Sequence, residues 1–282
     1  MADLFAEPNV PLTKAFLFCG WRCLPVDWAL DPSHDLADPA RQKIMHEQLT
    51  DVDFIAAAFD CSTKSRAREI PRKFEDGRPA PQPLRSESFL DGLPNLSARD
   101  QLRVDKDNAA SSFILQEIDR LEQSGGASVR ENPYRSLRWH VQQEVDMWAT
   151  GRWKDKQYAS CVFAGARCKQ QRLRHNLAEI DSWPVLACHH THAANEWEPW
   201  LRNGVRVYPS GEEAEYTAPL SFAIAVAASW WACRMGRATL RVPRAPAVEC
   251  VGRREHWLDL DPQIHAFLGH GPFGHYPGFR TS

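Results

Sequence analysis

Short apolar runs alternate with longer segments of mixed polarity along the first two-thirds of the chain. The run at 53–59 is nearly continuous and apolar, which is typical of a strand covered on both faces. Shorter apolar runs at 15–18, 24–28, 127–129 and 158–164 also have strand length, and the segments at 38–49, 107–123 and 136–150 have helical composition. This alternation predicts an α/β fold in which helices flank a mostly parallel sheet.

The rest of the chain lacks that alternation. Residues 62–97 are rich in Pro, Gly and charge, which predicts a long loop, and 183–211 form an irregular insertion rich in Trp, His and Pro. The apolar segment at 218–233 is too short and too rich in alanine to span a membrane, so we expect a buried helix over 219–235. We therefore expect one domain built from 12–182 and 212–236, the insertion at 183–211, and an extended C-terminal tail at 237–282.

The composition narrows the class of protein. With 43% hydrophobic and 25% charged residues over 282 positions, the chain is of the globular type, which excludes a disordered or fibrous protein. The 34 Lys and Arg residues nearly balance the 36 Asp and Glu residues, so a nucleic-acid partner would need a local basic patch. The eight cysteines include no CxxC pair, and the N-terminal segment lacks the basic region of a secretory signal. These features favour an intracellular location, nuclear or cytoplasmic, without a membrane partner.

Reactive side chains lie at the ends of three predicted strands, where chemistry in an open α/β sheet belongs. Cys61 follows the run at 53–59, Glu131 follows that at 127–129, and a basic run at 167–174 follows that at 158–164. A thiol, a carboxyl group and guanidinium groups on neighbouring strand ends suit covalent catalysis on a polar heterocycle. The alternative is that Cys61 is an inert, buried side chain.

A series of short motifs surrounds these residues in a fixed order. Together the motifs resemble the DNA cytosine-5 methyltransferase family, in particular its divergent branch associated with mobile elements. The resemblance covers residues 14–235 and rests on the following segments: Cys61 with Ser65 four residues later, Arg66 and Arg68, the proline-rich 79–83 with Leu84-Arg85, Gly92–Leu96, Val104 with Asn108, Glu131-Asn132-Pro133, Gln170-x-Arg172-x-Arg174, Tyr208-Pro209, and Tyr216–Pro219 ahead of the long apolar helix.

The resemblance implies a Rossmann-like methyltransferase fold and methyl transfer from S-adenosylmethionine to a flipped cytosine through a covalent cysteine adduct. It implies that Cys61 is the nucleophile, that Glu131 protonates the ring nitrogen, and that Arg172 or Arg174 holds the base. An alternative alignment fits the Gln-x-Arg-x-Arg motif equally well and runs through Lys169, Leu173 and Asn176.

The resemblance also implies a cofactor site near the start of the chain. The implied residues are Phe18 and Gly20, as a partial match to the family's Asp-x-Phe-x-Gly-x-Gly motif, followed by Asp27, Trp28 and Asp35. Only seven residues separate Phe18 from Val26, whereas a parallel crossover needs about a dozen, usually including a helix. Two alternatives follow: the first helix is lost, or the second strand pairs differently.

The loop after Cys61 is locally basic although the chain as a whole is slightly acidic. Such a loop can close over a phosphate backbone. The loop residues that we expect to contact nucleic acid are Lys64, Ser65, Arg66, Arg68 and Arg85. The expected partner is DNA, with RNA as an open alternative, and a solvated loop without any partner is the other interpretation.

The insertion contains Cys188-His189-His190-Thr191-His192, whose side chains are potential zinc ligands. Because adjacent residues cannot all face one ion, we expect an ordinary hydrogen-bonded histidine cluster and no metal site. The alternative is a two-ligand contribution from Cys188 and one of the histidines at 190 and 192, completed by residues elsewhere.

Two other functions stay open at this stage. A catalytically inactive nucleic-acid-binding domain could retain the fold without the cofactor pocket, as the short first crossover and the missing glycine of the first motif favour. A different thiol-dependent enzyme could pair Cys61 with one of the 11 histidines.

Overall fold

A six-stranded sheet forms the centre of the protein, as described by a computed structural model for residues 1–71, 74, 77 and 80–238. The strands are β1 (Ala2–Leu4), β2 (Leu24–Val26), β3 (Phe54–Ala58), β4 (Ala127–Pro133), β5 (Lys154–Ala159) and β6 (Gln170–His175). They are arranged in the order β2-β1-β3-β4-β6-β5, and only β6 runs antiparallel to its neighbours. The predicted α/β class with a mostly parallel sheet is confirmed.

Helices cover both faces of this sheet. They are α1 (Pro11–Phe18), α2 (Pro39–Leu49), α3 (Ala98–Gln123), α4 (Gln142–Ala149), α5 (Ala178–Asp181), α6 (Pro209–Glu212) and α7 (Ala218–Arg234). One apolar core lies between the sheet and α1, α5 and α7, and a second lies between the opposite face and α2, α3 and α4. In the described part of the chain, no helix has the length and apolar character needed to cross a membrane.

The strand predicted at 15–18 is wrong, because this segment ends α1. A run of four apolar residues does not distinguish a strand from a buried helix. Leu12, Ala15 and Phe16 are spaced three and four positions apart, and together they bury one face of the helix. The first strand is instead Ala2–Leu4, between β2 and β3, so a domain that starts at residue 12 leaves out a central strand of the sheet.

The position of β1 also explains the short spacing before β2. The chain passes from β1 through α1 to β2, so the first crossover contains a helix, as parallel pairing requires. The carboxylate of Asp3 fixes the start of that helix by accepting hydrogen bonds from the backbone and the hydroxyl of Thr13, at 3.0 and 2.7 Å. Neither predicted alternative applies: the helix is present and β2 pairs in parallel.

Several other predicted boundaries shift. The helix α3 begins at Ala98, capped by the hydroxyl of Ser97, and is longer than predicted. Residues 160–163 form a 3-10 helix rather than the end of a strand. The basic run at 167–174 largely forms β6, which places its residues inside the sheet instead of beyond it.

The insertion is largely irregular and contains one small hairpin. Its strands are β7 (Trp200–Arg202) and β8 (Val205–Val207), and a single bridge joins Leu186 to Tyr158 at the edge of the main sheet. The predicted buried helix is α7, which is capped by Thr217 and has most of its side chains in the core. Most of the predicted tail, 239–282, lies outside the described residues.

Candidate active site

A cavity of about 250 Å³ opens at the carboxyl ends of β1, β2 and β3. The chain leaves β1 toward β2 on one side and later returns to place β3 on the other side, so the strand order reverses at this point. Ligands of open α/β sheets bind at such reversals. The lining residues include Phe5, Asp27, Trp28, Asp35 and Asp60.

Three of the residues implied to bind a cofactor meet in this cavity. Asp27 directly follows β2, and its carboxylate accepts hydrogen bonds from the backbone of Glu7 at 3.1 Å and of Ala29 at 2.7 Å. The neighbouring Trp28 is 64% exposed, which leaves its ring free to contact a ligand. Asp35 pairs with Lys106 at 2.9 Å on the other side of the cavity.

Phe18 and Gly20 do not belong to this group, and their predicted place is corrected. They lie between the end of α1 and the start of β2. This is the amino end of the parallel strands, whereas the cavity lies at their carboxyl ends. The ring of Phe18 packs against Phe222 with centroids 5.6 Å apart, so Phe18 is a partly buried side chain that packs against the core. Gly20 serves the turn, where its φ of +84° favours glycine.

The residues that do occupy the loop after β1 were missed by the sequence analysis. Asp3-Leu4-Phe5 matches the Asp-x-Phe start of the family's first motif, and this pattern was the available signal. When the motif is aligned from Asp3, Glu7 occupies the position of its first glycine. The φ of Glu7 is 61°, in the left-handed region that glycine adopts readily. Burial, helped by the charges of Glu215 and Glu131, raises the pKa of Glu7 to about 8.

The structure brings Cys61 and Glu131 to neighbouring strand ends. Glu131 lies opposite Ala58 in the register of β3 and β4, and Cys61 follows β3 directly. Burial raises the pKa of the Cys61 thiol to about 11; the positive charge of Lys169 opposes this shift, whereas Glu131 and Asp60 add to it. The thiol is therefore protonated in the free protein at neutral pH.

Glu131 is a buried carboxyl group without a full set of partners. It is 5% exposed, and among the described residues its Oε1 has no hydrogen-bond partner. Burial raises its pKa to about 7, against a smaller opposing effect of Lys169. The hydroxyl of Tyr216 is also buried and has no hydrogen-bond partner within the described part of the chain. Burial and the charge of Glu131 raise its pKa. A buried carboxylic acid beside a thiol is suited to donate a proton.

Lys169 is the cation of this group. Its charge acts on both Cys61 and Glu131, and its Nζ donates a hydrogen bond to the carbonyl oxygen of Glu213 at 2.9 Å. We define the catalytic cluster as Cys61, Glu131, Lys169, Tyr216 and Glu7. The backbone of Tyr216 donates to the Glu7 carboxyl, and the backbone of Glu7 donates to Asp27. These two contacts connect the catalytic cluster to the cavity.

Arg172 and Arg174 lie on the opposite face of the sheet from Glu131, so their predicted role at the base is corrected. In the register of β4 and β6, Glu131 pairs with Leu173, whereas Arg172 and Arg174 pair with Asn132 and Arg130. Side chains alternate between faces along a strand, which excludes both arginines from the side of the catalytic cluster. In the alternative alignment, the motif runs through Lys169, Leu173 and Asn176. This alignment agrees with the structure in that Leu173 pairs with Glu131.

The two arginines instead support the sheet and α4. Arg174 is 3% exposed and pairs with Glu144 at 3.1 Å and with Asp155 at 2.9 Å. Arg172 pairs with Asp155 at 3.0 Å, and its guanidinium lies 5.1 Å from the ring centre of Trp139.

We expect Arg174→Met to lower the free energy of unfolding by about 2–4 kcal/mol, because it leaves the buried Glu144 with only the longer contact to Arg130 and leaves Asp155 with Arg172 alone. The matched substitution Arg66→Met, at a partly exposed arginine, should change it by less than about 1 kcal/mol. Urea denaturation of both variants measures the difference. Equal, small effects would contradict the structural role of Arg174.

Two of the five residues expected to contact nucleic acid are buried. Lys64 is 1% exposed and pairs with Asp107 at 2.7 Å, and Arg85 is 2% exposed and pairs with the same carboxylate at 3.1 Å. Arg85 also donates to the Thr63 hydroxyl at 3.1 Å, so these contacts fix the loop that carries Cys61. Neither side chain is available to a phosphate, and this prediction is corrected.

The other three remain nearer the surface. Ser65 caps a short 3-10 helix at Arg66–Glu69 by accepting a hydrogen bond from Ala67. Arg66 pairs with Glu69 and Glu87, and Arg68 donates to the carbonyl oxygens of Ser62 and Gln82. All three therefore hold the loop in shape in the free protein.

Comparison with known proteins adds no relative to this picture. The chain matches no family model, no curated protein and no solved structure. The function is therefore inferred from the residues of the cavity and the catalytic cluster themselves.

Proposed function

We propose that the protein is an S-adenosylmethionine-dependent DNA (cytosine-5) methyltransferase. The observation that carries the proposal is Glu131, a buried acid with a pKa raised to about 7 and an unpartnered oxygen, beside the Cys61 thiol at a strand end. A thiol and a carboxylic acid in this arrangement suit nucleophilic addition to a ring whose nitrogen must gain a proton. The order of the motifs supports the same family.

The sheet is compatible with the Rossmann-like methyltransferase fold that the resemblance implies. Three parallel strands end at one cavity, and the cavity lies at the reversal of strand order. The helix α1 between β1 and β2 is present, which removes the objection from the spacing of Phe18 and Val26.

The residues of the cavity suit S-adenosylmethionine. Asp27 retains acceptor capacity for ribose hydroxyls at the end of β2, and the rings of Phe5 and Trp28 offer apolar surface to an adenine. Glu7 stands in place of the glycine of the family's motif. Its raised pKa keeps it largely protonated in the free protein at neutral pH, and the cationic end of the ligand would favour its carboxylate form. When bound, S-adenosylmethionine supplies an electrophilic methyl group.

The protein's own residues account for the remaining chemistry. Cys61 loses its thiol proton to water and its Sγ forms a bond to C6 of the cytosine ring, while Glu131 gives its proton to the ring nitrogen. Lys169 stabilises the thiolate and is the cation of the catalytic cluster that would contact the exocyclic oxygen. Once C5 carries the methyl group, that carbon loses its proton to water, the Sγ–C6 bond breaks, and the nitrogen returns its proton to Glu131.

A DNA substrate would have to present its cytosine outside the duplex, because Glu131 is buried. Among the described loop residues, Arg66 is a cation placed to meet the displaced strand, since its present partners Glu69 and Glu87 are partly exposed and can be exchanged for phosphates. Ser65 and Arg68 remain candidates for the same surface.

We expect saturable binding of S-adenosylhomocysteine in calorimetric titration, weakened about tenfold to a hundredfold by Asp27→Asn. The loss follows from replacing a charged acceptor of ribose hydroxyls by a neutral one. The matched control is Asp31→Asn, an exposed aspartate that caps the 3-10 helix at Pro32–His34 and should leave binding unchanged.

Absence of binding by the folded protein at millimolar ligand would contradict the proposal. It would leave a catalytically inactive nucleic-acid-binding domain, which Glu7 in the place of a glycine favours.

A further inference from the structure

Four side chains with metal-binding atoms converge outside the catalytic cluster. They are Cys161, Cys188, His190 and His192, and their ligand atoms all lie within 4.8 Å of one another. Cys161 belongs to the 3-10 helix after β5, and the other three belong to the insertion. Neither the cavity nor the proposed methyl transfer uses any of them.

We propose that these four side chains bind one structural zinc ion. Zinc in structural sites takes four Cys and His ligands in a tetrahedron, with bonds of about 2.3 Å to sulfur and about 2.0 Å to nitrogen. Such a tetrahedron separates a sulfur from a nitrogen ligand by about 3.6 Å. The Sγ of Cys188 lies 3.2 Å from Nε2 of His192 and 3.8 Å from Nδ1 of His190, on either side of that separation.

The surroundings of the cluster match those of a zinc site. Nδ1 of His192 contacts the Glu196 carboxylate at 2.9 Å, which leaves Nε2 to face Cys188. A carboxylate behind the histidine is the usual support of a zinc ligand, since it fixes the ring orientation and the tautomer. The backbone N–H of His190 donates to the Sγ of Cys188 at 3.3 Å, a contact that favours a thiolate.

The arrangement also resolves the objection raised by the sequence. The segment at 187–193 has no regular secondary structure and bends at His190, so Cys188, His190 and His192 can face one point although they are close in sequence. Cys161 then completes the tetrahedron from a distant part of the chain. A closed set of four protein ligands indicates a structural rather than a catalytic ion.

The zinc ion would attach the insertion to the turn that carries Lys169. That turn is already tight: the Ser160 hydroxyl accepts from the backbone of Lys169 at 3.1 Å, and the backbone of Gly165 donates to Ser160 at 2.9 Å. A metal at Cys161 would fix the same turn from the other side. The inference stands on the ligand geometry alone, so it holds whether or not the proposed methyl transfer is correct.

The test is the zinc content of the purified full chain, measured by elemental analysis and by native mass spectrometry. We expect one zinc per chain, lost in Cys161→Ser, Cys188→Ser and His192→Ala, and retained in the matched controls Cys233→Ser and His189→Ala. Glu196→Gln, which leaves all ligands in place, should weaken zinc binding about 10–100-fold. Cobalt added to the metal-free protein should give the absorption of a tetrahedral, thiolate-bound ion.

Three results would overturn the proposal. A folded wild-type chain that holds neither zinc nor cobalt would exclude the site. A mass lower by two hydrogens, with Cys161 and Cys188 joined, would replace it by a disulfide. Zinc retained in His190→Ala but lost in Cys168→Ser would refute the assignment of His190 as the fourth ligand, because Cys168 also interacts with Cys161 and Cys188.

Discussion

Cys61→Ser should abolish covalent capture of the protein by DNA that contains 5-fluorocytosine, whereas the wild-type chain should form a denaturant-resistant adduct in the presence of S-adenosylmethionine. The proposed reaction ends when C5 loses its proton, and fluorine at that position cannot leave in the same way, so the Sγ–C6 bond persists. At neutral pH, a serine hydroxyl is a far weaker nucleophile than a cysteine thiol. Gel mobility under denaturing conditions and intact mass measure the adduct.

The control for this experiment is Cys233→Ser, which makes the same substitution on α7 and should leave capture unchanged. With a thiol pKa of about 11, only about one molecule in 10⁴ carries the Cys61 thiolate at neutral pH. Alkylation of Cys61 by iodoacetamide in the free protein should therefore be slow. Rapid alkylation that needs neither DNA nor cofactor would contradict the methyltransferase and support a different thiol-dependent enzyme.

The sequence was most informative where hydrophobic pattern and chemistry coincided. The run at 53–59 is the strand β3, and Cys61 lies at its carboxyl end as expected. β1 was missed because a strand of three residues shows no periodicity. The stronger apolar run at 15–18 was predicted as the first strand instead, although it belongs to the helix α1. The residues predicted to bind a cofactor were consequently divided between the amino ends and the carboxyl ends of the strands.

Side-chain direction is the second thing that the sequence could not supply. Gln-x-Arg-x-Arg identifies residues, but a shift of one position moves each side chain to the other face of a strand. The pairing of Glu131 with Leu173 shows that Arg172 and Arg174 lie on the other face, and the charge of Lys169 acts on Glu131 instead. Likewise, the charges of Lys64 and Arg85 predicted contacts with nucleic acid, whereas Asp107, far along the chain, pairs with both in the interior.

The two faces of the sheet carry different sets of polar residues. One face carries Glu131, Tyr216 and Lys169, whose polar atoms are left partly unpartnered in the described residues or face one another. The other carries Arg174 and Arg130, whose charges are set against Glu144. The ion pairs of the second face stabilise the sheet, although Nε of Arg130 and Oε1 of Glu144 also lack a hydrogen-bond partner among the described residues. What distinguishes the first face is that the charge of its Glu131 acts on the Cys61 thiol.

Glu131→Gln should lower methyl transfer about 10²–10⁴-fold and, at high pH, stabilise the fold. Activity requires the Cys61 thiolate and the protonated Glu131 together, so wild-type activity should rise with pH up to about 7, the pKa of Glu131, and level off above it, and the variant should lack that break. The pKa of the folded state lies above the ordinary value of 4.5. Folding therefore becomes less favourable between pH 4.5 and about 7, by about 3 kcal/mol once Glu131 is ionised.

Urea denaturation across this pH range tests the stability part of the prediction, because glutamine has no charge to bury. The free energy of unfolding of the variant should exceed that of the wild type increasingly from pH 5 to pH 8. The difference between the two isolates Glu131 from Asp3 and Glu7, the pKa values of which are raised as well. Glu117→Gln is the matched control: it removes an equally buried carboxylate that pairs with His46 and Arg120, and it should destabilise the fold. If Glu131→Gln also destabilises the protein at pH 8, the carboxylate of Glu131 has a stabilising partner in solution, and its assignment as the proton donor fails.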